Sequence, residues 1–150
     1  MYLSVVVPCY NEHENIERGV LGQMVAFLAS QPYASELIIS DDGSSDDSLT
    51  LVQDFTRSHP AVRVLANPHQ GKPAALRAAL SEVQGAIVLL MDMDQSTPVG
   101  EVVKLLPYFD QGYAAPGPLH LSQGRKQGFS RHRSDDYHSA APGEIPALTG

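Results

Sequence analysis

The stretch AIVLLMDMDQSTP, Ala86 to Pro98, decides how the rest of the chain is read. Its six leading apolar residues, Ala86 to Met91, are far short of the roughly 18 that a membrane helix needs, and they suit a strand buried on both faces. Two carboxylates follow, Asp92 and Asp94, with Met93 between them. In an extended segment residues i and i+2 point the same way, so both carboxylates are expected to project into one crevice at the strand's carboxyl end. Acidic residues after a strand also serve as helix caps. As a pair, however, they offer the oxygen donors preferred by Mg²⁺ or Mn²⁺, ions usually held by one or two carboxylates together with substrate phosphates.

On either side of this stretch lie helices. Lys72-Pro73 opens one after the turn Asn67 to Gly71, with proline where no amide hydrogen is missed, Leu76, Leu80 and Val83 inward, and Gly85 as its terminating residue. Thr97-Pro98 begins another, with Val99, Val102, Val103, Leu106 and Phe109 on its apolar side. Toward the amino terminus the alternation repeats. Leu3 to Val7 reads as a strand closed by Pro8, and Asn11 with Glu14 resembles a capping box for one helix running to Pro32. Glu36 to Ser40 is a second strand, followed by the turn Asp41 to Asp47 and a helix carrying Leu49, Val52 and Phe55, capped by Ser45 or Asp46. Val62 to Ala66 is a third strand.

Strand and helix in alternation with short connections predict an α/β fold, a parallel sheet wrapped by helices. Ligands of such sheets sit at the carboxyl ends of the strands, near the point where strand order reverses. Glu12, Asp41/Asp42 and Asp92/Asp94 all follow strands and are therefore expected to share one rim. After Tyr113 the pattern collapses: residues 111–150 hold 6 of the 12 glycines and 4 of the 11 prolines, and no period continues. The expected organisation is a domain over residues 1–112 and an irregular tail over 113–150, in which Ala114 to Pro118 would break any strand.

Composition narrows the function classes. A net charge of -7 argues against a nucleic-acid surface. The single cysteine, Cys9, has no internal disulfide partner and suits a reducing, cytoplasmic compartment, and neither a signal peptide nor an 18-residue apolar run is read in the chain. A dinucleotide-dependent oxidoreductase would carry Gly-x-Gly-x-x-Gly after the first strand, where Pro8-Cys9-Tyr10-Asn11-Glu12 stands instead.

The ordered set Val5-Val6-Val7-Pro8-Cys9-Tyr10-Asn11-Glu12, Asp41-Asp42-Gly43-Ser44-Ser45-Asp46, Gly71-Lys72-Pro73-Ala74-Ala75-Leu76-Arg77 and Asp92-Met93-Asp94 resembles a family 2 glycosyltransferase, over about residues 2–112. Gly71 to Arg77 and the exit Gln95 to Pro98 are most similar to the branch that makes dolichyl- or polyprenyl-phosphate sugars. The resemblance implies a GT-A nucleotide-binding sheet, Rossmann-like and here incomplete at its carboxyl end. It implies a metal-dependent, inverting transfer of a hexose from UDP- or GDP-sugar to a lipid phosphate, at the cytoplasmic membrane face with peripheral membrane contact.

By that resemblance Pro8, Tyr10 and Glu12 line base and ribose, and one of Asp41 and Asp42 receives the base's ring N–H. Lys72 and Arg77 stand near the diphosphate, and Asp92, Met93 and Asp94 form the metal and diphosphate segment, with Asp92 and Asp94 catalytic through the metal. Each residue also has a plainer role: Tyr10 in packing, Glu12 at a helix start, Asp41 and Asp42 in a turn, Arg77 as surface charge. Two functional readings stay open, an active transferase and a donor-binding half that holds nucleotide sugar without turnover.

Overall fold

The computed structural model describes residues 2–111 and the short strand Leu119–His120. In chain order the elements are β1 (Leu3–Cys9), α1 (His13–Glu17), α2 (Val20–Ala29), β2 (Ser35–Asp41), α3 (Ser48–Thr56), β3 (Val62–Ala66), α4 (Lys72–Leu80), β4 (Ile87–Leu90), a 3₁₀ segment (Val99–Lys104), α5 (Leu106–Asp110) and β5 (Leu119–His120). The strands form one parallel sheet in the order β3-β2-β1-β4-β5. Successive strands first add on one side of β1 and then, from β4, on the other. Strand order therefore reverses between β1 and β4, which is where such sheets leave a crevice.

Alternation along each strand sends neighbours to opposite faces. Val5, Val7, Leu37, Ile39 and Leu89 join one core with Leu21 and Met24 of α2, Val52 of α3, and Val99, Val102 and Leu106. Val6, Ile38 and Leu90 face the other way and meet Ala79 of α4, with Leu76, Leu80 and Val83 packed alongside. β1 sits centrally and is almost wholly buried, as its Val5-Val6-Val7 run demands.

Several local expectations are corrected. β1 continues through Pro8 to Cys9. Val6, in phase with Pro8, turns its carbonyl to Met91, while the Cys9 carbonyl accepts from Asp42 on the β2 side. The N–H that Pro8 lacks thus falls on the β4 side, past that strand's last residue, and no ladder bond is lost.

The single helix expected after Asn11 is two, because Gly19 takes a left-handed φ of 82° and starts α2 afresh. No capping box forms at Asn11: α1 has Glu12 at its N-cap position with no side-chain cap. The last helix begins as a 3₁₀ turn, since Pro107 has no N–H to return to the Val103 carbonyl. Val103 is consequently exposed rather than inward. β5, unexpected from the sequence, pairs with β4 through Leu89↔Leu119 and Leu90↔His120. The remainder of the tail expected over 113–150 lies outside the described residues. Among the described residues no helix is long and apolar enough to cross a membrane.

Gly85 does not terminate α4, which ends at Leu80. It lies against β1, its amide donating to Ser4 Oγ at 2.8 Å. Ser4 Oγ in turn donates to Glu36 Oε1 at 2.5 Å, and the same oxygen accepts from the Gln84 amide at 2.7 Å. Arg63 bridges Glu36 (3.3 Å) and Glu82 (2.7 Å). This network ties the segment leading into β4 to the amino ends of β1 and β2.

Burial alone would raise the Glu36 carboxyl, but the bonds from Ser4, Gln84 and Arg63 outweigh it and hold Glu36 below its ordinary 4.5. A carboxyl lowered by folding stabilises the fold above its unfolded value of 4.5, and that contribution is lost as pH falls through the lower folded value. Glu36→Gln is therefore expected to cost about 1 kcal/mol at neutral pH and to flatten the acid limb of a stability–pH curve measured by urea unfolding.

Candidate functional site

Four post-strand loops meet at the carboxyl edge of the sheet around a cavity of about 390 Å³. The end of β1 contributes Pro8 and Cys9, the loop after it Tyr10 and Glu12, and α1 Asn15; Asp42 follows β2; His69, Gly71 and Lys72 follow β3; and Asp92, Met93 and Asp94 follow β4. The rim expected from the strand pattern is thus present. A second, smaller cavity of about 230 Å³ lies elsewhere, lined largely by apolar residues of α2 and β2 together with Tyr33 and Glu36, and it contains none of the acidic clusters.

The Asp-x-Asp pair reaches the cavity by a route other than the extended strand. β4 stops at Leu90, Met93 and Asp94 lie in a turn, and Gln95 adopts a left-handed φ of 49°. Met91 and Met93 are both buried in the core cluster that packs against α2. Anchoring the two methionines inward leaves Asp92 and Asp94 outward, so the alternation survives although the strand has ended.

Asp94 Oδ1 accepts both the Ser96 amide (2.9 Å) and Ser96 Oγ (2.8 Å). Those two bonds, assisted by the charge of Lys72, hold Asp94 below the ordinary carboxylate range. Asp92 Oδ1 is paired with Lys72 Nζ at 2.5 Å. Lys72 is the first residue of α4, placed by Gly71, whose φ of 89° makes the sharp entry to the helix.

Asp41 and Asp42 divide their duties. Asp41 is fully buried, and its carboxylate accepts from the Gly43 and Ser44 amides, both at 3.0 Å, and from Ser44 Oγ; it forms the turn and is absent from the cavity lining. Asp42 lines the cavity and accepts from the Gln70 and Gly71 amides, each at 2.9 Å, and from His69 Nδ1 at 2.9 Å. The bond from Gln70 is the foremost reason that its carboxyl lies below the ordinary range, with Gly71 and His69 adding to it against the effect of burial. Arg77 is exposed and is not brought to the cavity, because α4 carries it about 7.5 Å along the helix from Lys72.

Glu12 Oε2 accepts from Asn15 Nδ2 at 2.6 Å, and the Glu12 amide donates to Ser48 Oγ at 2.8 Å. Cys9 lines the cavity but is almost fully buried, and burial pushes its thiol up to about 12, with Asp41 and Glu12 adding to the effect. At neutral pH it is an inert apolar wall.

Asn15 and His69 line the cavity and Asn11 braces the loop beside it, three roles that the sequence reading missed. Asn11, at a left-handed φ of 53°, accepts from the Ser45 amide (2.8 Å) and the Asp46 amide (3.3 Å), stapling the β1 loop to the β2 loop. Its tolerance of left-handed geometry was the one available signal. His69 had none, because its partners Tyr10 and Asp42 are remote in sequence.

Counting side chains, the cavity sets four carboxylates, Glu12, Asp42, Asp92 and Asp94, against the single ammonium of Lys72. A diphosphate would meet net repulsion there unless a divalent cation accompanied it. Among the described residues no three His, Cys, Asp or Glu side chains converge as a closed cage. That donor set fits an ion held by Asp92 and Asp94 and completed by ligand oxygens, the usual arrangement for Mg²⁺ and Mn²⁺.

Comparison with known proteins agrees with this geometry. The family model for glycosyl transferase family 2 matches residues 4–146. An undecaprenyl-phosphate 4-deoxy-4-formamido-L-arabinose transferase from Edwardsiella ictaluri is 30% identical over 135 residues, covering 89% of this chain and 41% of that protein. Its counterpart from Sodalis glossinidius is 34% identical over 135 residues, covering 88% of this chain and 40% of the relative. The chain thus spans about two fifths of the length of these relatives.

Among solved structures, the Pyrobaculum calidifontis mannosyltransferase in complex with GDP-Man and Mn²⁺ superposes with a TM-score of 0.56 at 28% identity, over 67% of this chain and 30% of that one. S. aureus TarS in complex with UDP-GlcNAc gives 0.56 at 26% identity, over 75% and 32%. The GT-A fold expected from the motifs is therefore the fold found. With the motif loops gathered on one rim and the family model matching nearly the whole sequence, the chain belongs to glycosyltransferase family 2.

Proposed function

We propose that this chain binds a nucleoside-diphosphate hexose in the 390 Å³ cavity and directs transfer of the hexose, with inversion, to a polyprenyl phosphate. The observation that carries the reading is the meeting of Tyr10, Glu12, Asp42, Lys72, Asp92 and Asp94 around one space, with an acidic excess that a divalent cation would offset so that a diphosphate can enter. In it Pro8 and Tyr10 present the apolar wall for the base, Glu12 accepts from ribose hydroxyls, and Asp42 has lone-pair capacity beyond its three bonds for a base N–H. Asp92 and Asp94 hold the divalent cation, Mg²⁺ or Mn²⁺, which when bound supplies Lewis-acid stabilisation of the leaving diphosphate. Lys72, at the amino end of α4, adds a cation beside the same oxygens. Met93 is the buried anchor between the two acids.

The acceptor class follows from chemistry and from the relatives. A hydroxyl acceptor needs a general base, whereas a phosphate monoester, with a second pKa near ~6, is already mostly dianionic at neutral pH. Both relatives described above are named as undecaprenyl-phosphate transferases, which supports a polyprenyl phosphate. Such an acceptor resides in a membrane, so the reaction would take place at a membrane face, by the family resemblance the cytoplasmic one.

Transfer of radiolabelled hexose from a panel of UDP- and GDP-sugars into polyprenyl phosphate, run with Mn²⁺ and with chelator, tests the reading. Metal-dependent incorporation from one donor class is expected. Calorimetric binding of nucleotide sugar with no incorporation would favour the narrower reading, a donor-binding half.

A further inference from the structure

Tyr10 is 43% exposed, on the loop after β1, and an exposed tyrosine is free to turn about two torsions. Here it is not isolated. Its ring lies on that of His69 with centroids 4.4 Å apart and planes inclined by 19°. His69 is itself fixed: Nδ1 stands 2.9 Å from Asp42 Oδ2 and 2.9 Å from the Asp42 carbonyl oxygen. Asp42 is buried and bound to the Gln70 and Gly71 amides, so the β3 loop cannot shift without breaking these bonds. The approach of the two loops is close enough that a Cβ on Gly43 would stand 2.7 Å from the His69 backbone nitrogen.

Asp42, His69 and Tyr10 therefore form a supported stack, from a buried carboxylate to an exposed aromatic face. A centroid separation of 4.4 Å leaves no space for a third ring between Tyr10 and His69. A nucleotide base can meet Tyr10 only on the side away from His69.

We propose that His69 is a positioning residue for nucleotide recognition, holding the Tyr10 ring in the plane on which the donor base stacks. This rests on the reading of Tyr10 as the base-facing residue. His69 acts by preorganisation: the ordering of Tyr10 is met on folding rather than on binding. The arrangement favours no single base, since stacking is tolerant of base identity.

Calorimetric titrations of the full chain with Mn²⁺-UDP, Mn²⁺-GDP and Mn²⁺-pyrophosphate test it. His69→Ala is expected to weaken both nucleotides about fivefold and to leave pyrophosphate unchanged, because pyrophosphate has no base to stack. His69→Phe, which keeps a ring, should restore nucleotide affinity, whereas His69→Asn, which keeps a polar group without a ring, should not. In a Tyr10→Ala background, itself expected to weaken nucleotides about tenfold, removal of His69 should have no further effect.

A parallel loss of pyrophosphate binding, rescue by Asn rather than Phe, or simple additivity with Tyr10→Ala would show that His69 only holds the loop carrying Lys72, and would overturn the inference. Weakening by Tyr10→Ala with none by His69→Ala overturns it while sparing the base-binding reading. If Tyr10→Ala is without effect, both fall.

Discussion

Replacing Asp94 with alanine is expected to lower Mn²⁺-supported affinity for UDP or GDP by about a hundredfold and to reduce hexose transfer at least as much. Asp92 is already paired with Lys72, whereas Asp94 forms no ion pair among the described residues and is held by Ser96. Its two bonds from Ser96 fix the group and hold its carboxyl below the ordinary range. A neutral residue there leaves an ion with one carboxylate that it must share with an ammonium. Asp94→Asn should behave nearly as badly, because it keeps the shape and loses the charge. Isothermal titration with and without Mn²⁺ separates this from misfolding: affinity measured in chelator should be no weaker in either variant than in wild type, since losing a carboxylate relieves repulsion of the diphosphate. Undiminished Mn²⁺-supported affinity in Asp94→Ala would remove the metal from the proposed function.

Gly85→Ala is expected to destabilise the fold by about 3 kcal/mol, at the upper end of the cost of overpacking, although it lies remote from the cavity. A Cβ at this position would stand 2.5 Å from the Ser4 nitrogen and 2.8 Å from the Leu3 carbonyl carbon. Both are backbone atoms of the central strand, so neither can rotate away. Relief requires β4 to part from β1, which also stretches the Gly85 amide bond to Ser4 Oγ and the pairing of Leu3 with Ile87. Urea unfolding measures the loss directly. Because β4 leads into Asp92, residual folded protein should also bind Mn²⁺-nucleotide less tightly. A stability within 0.5 kcal/mol of wild type, the ordinary range for a surface substitution of roughly that size, would show that the contact is not close.

Much of the fold could be read before any coordinates. Val62–Ala66 was bounded to the residue, β2 to within one at each end, and the parallel order of strand and helix followed from apolar runs separated by turns. Where the reading failed, a non-local contact or a single backbone angle was responsible. Gly19 looked like a helix residue of low propensity, and only its left-handed φ divides α1 from α2. Gly85 resembled a helix terminator because glycine serves that role so often; its actual reason is the crossing of β1 some eighty residues earlier in the chain. The chemistry of the rim was legible because Asp-x-Asp, Asp-Asp-Gly and Pro-x-Tyr-x-Glu are short local patterns. The distinction between Asp41 and Asp42 was not, since they are adjacent at the end of the same strand and only the direction of each side chain tells the turn-former from the cavity wall.

The amino-acid order by itself determined a parallel α/β sheet and the acidic residues that close its strands, because hydrophobic period and turn chemistry act over a few neighbouring residues. Tertiary structure alone decided which of those acids face one another, that Lys72 rather than Arg77 reaches them, and that His69 lies against Tyr10. These are contacts between segments roughly twenty to eighty residues apart, fixed by strand register and helix direction, and no local pattern encodes them.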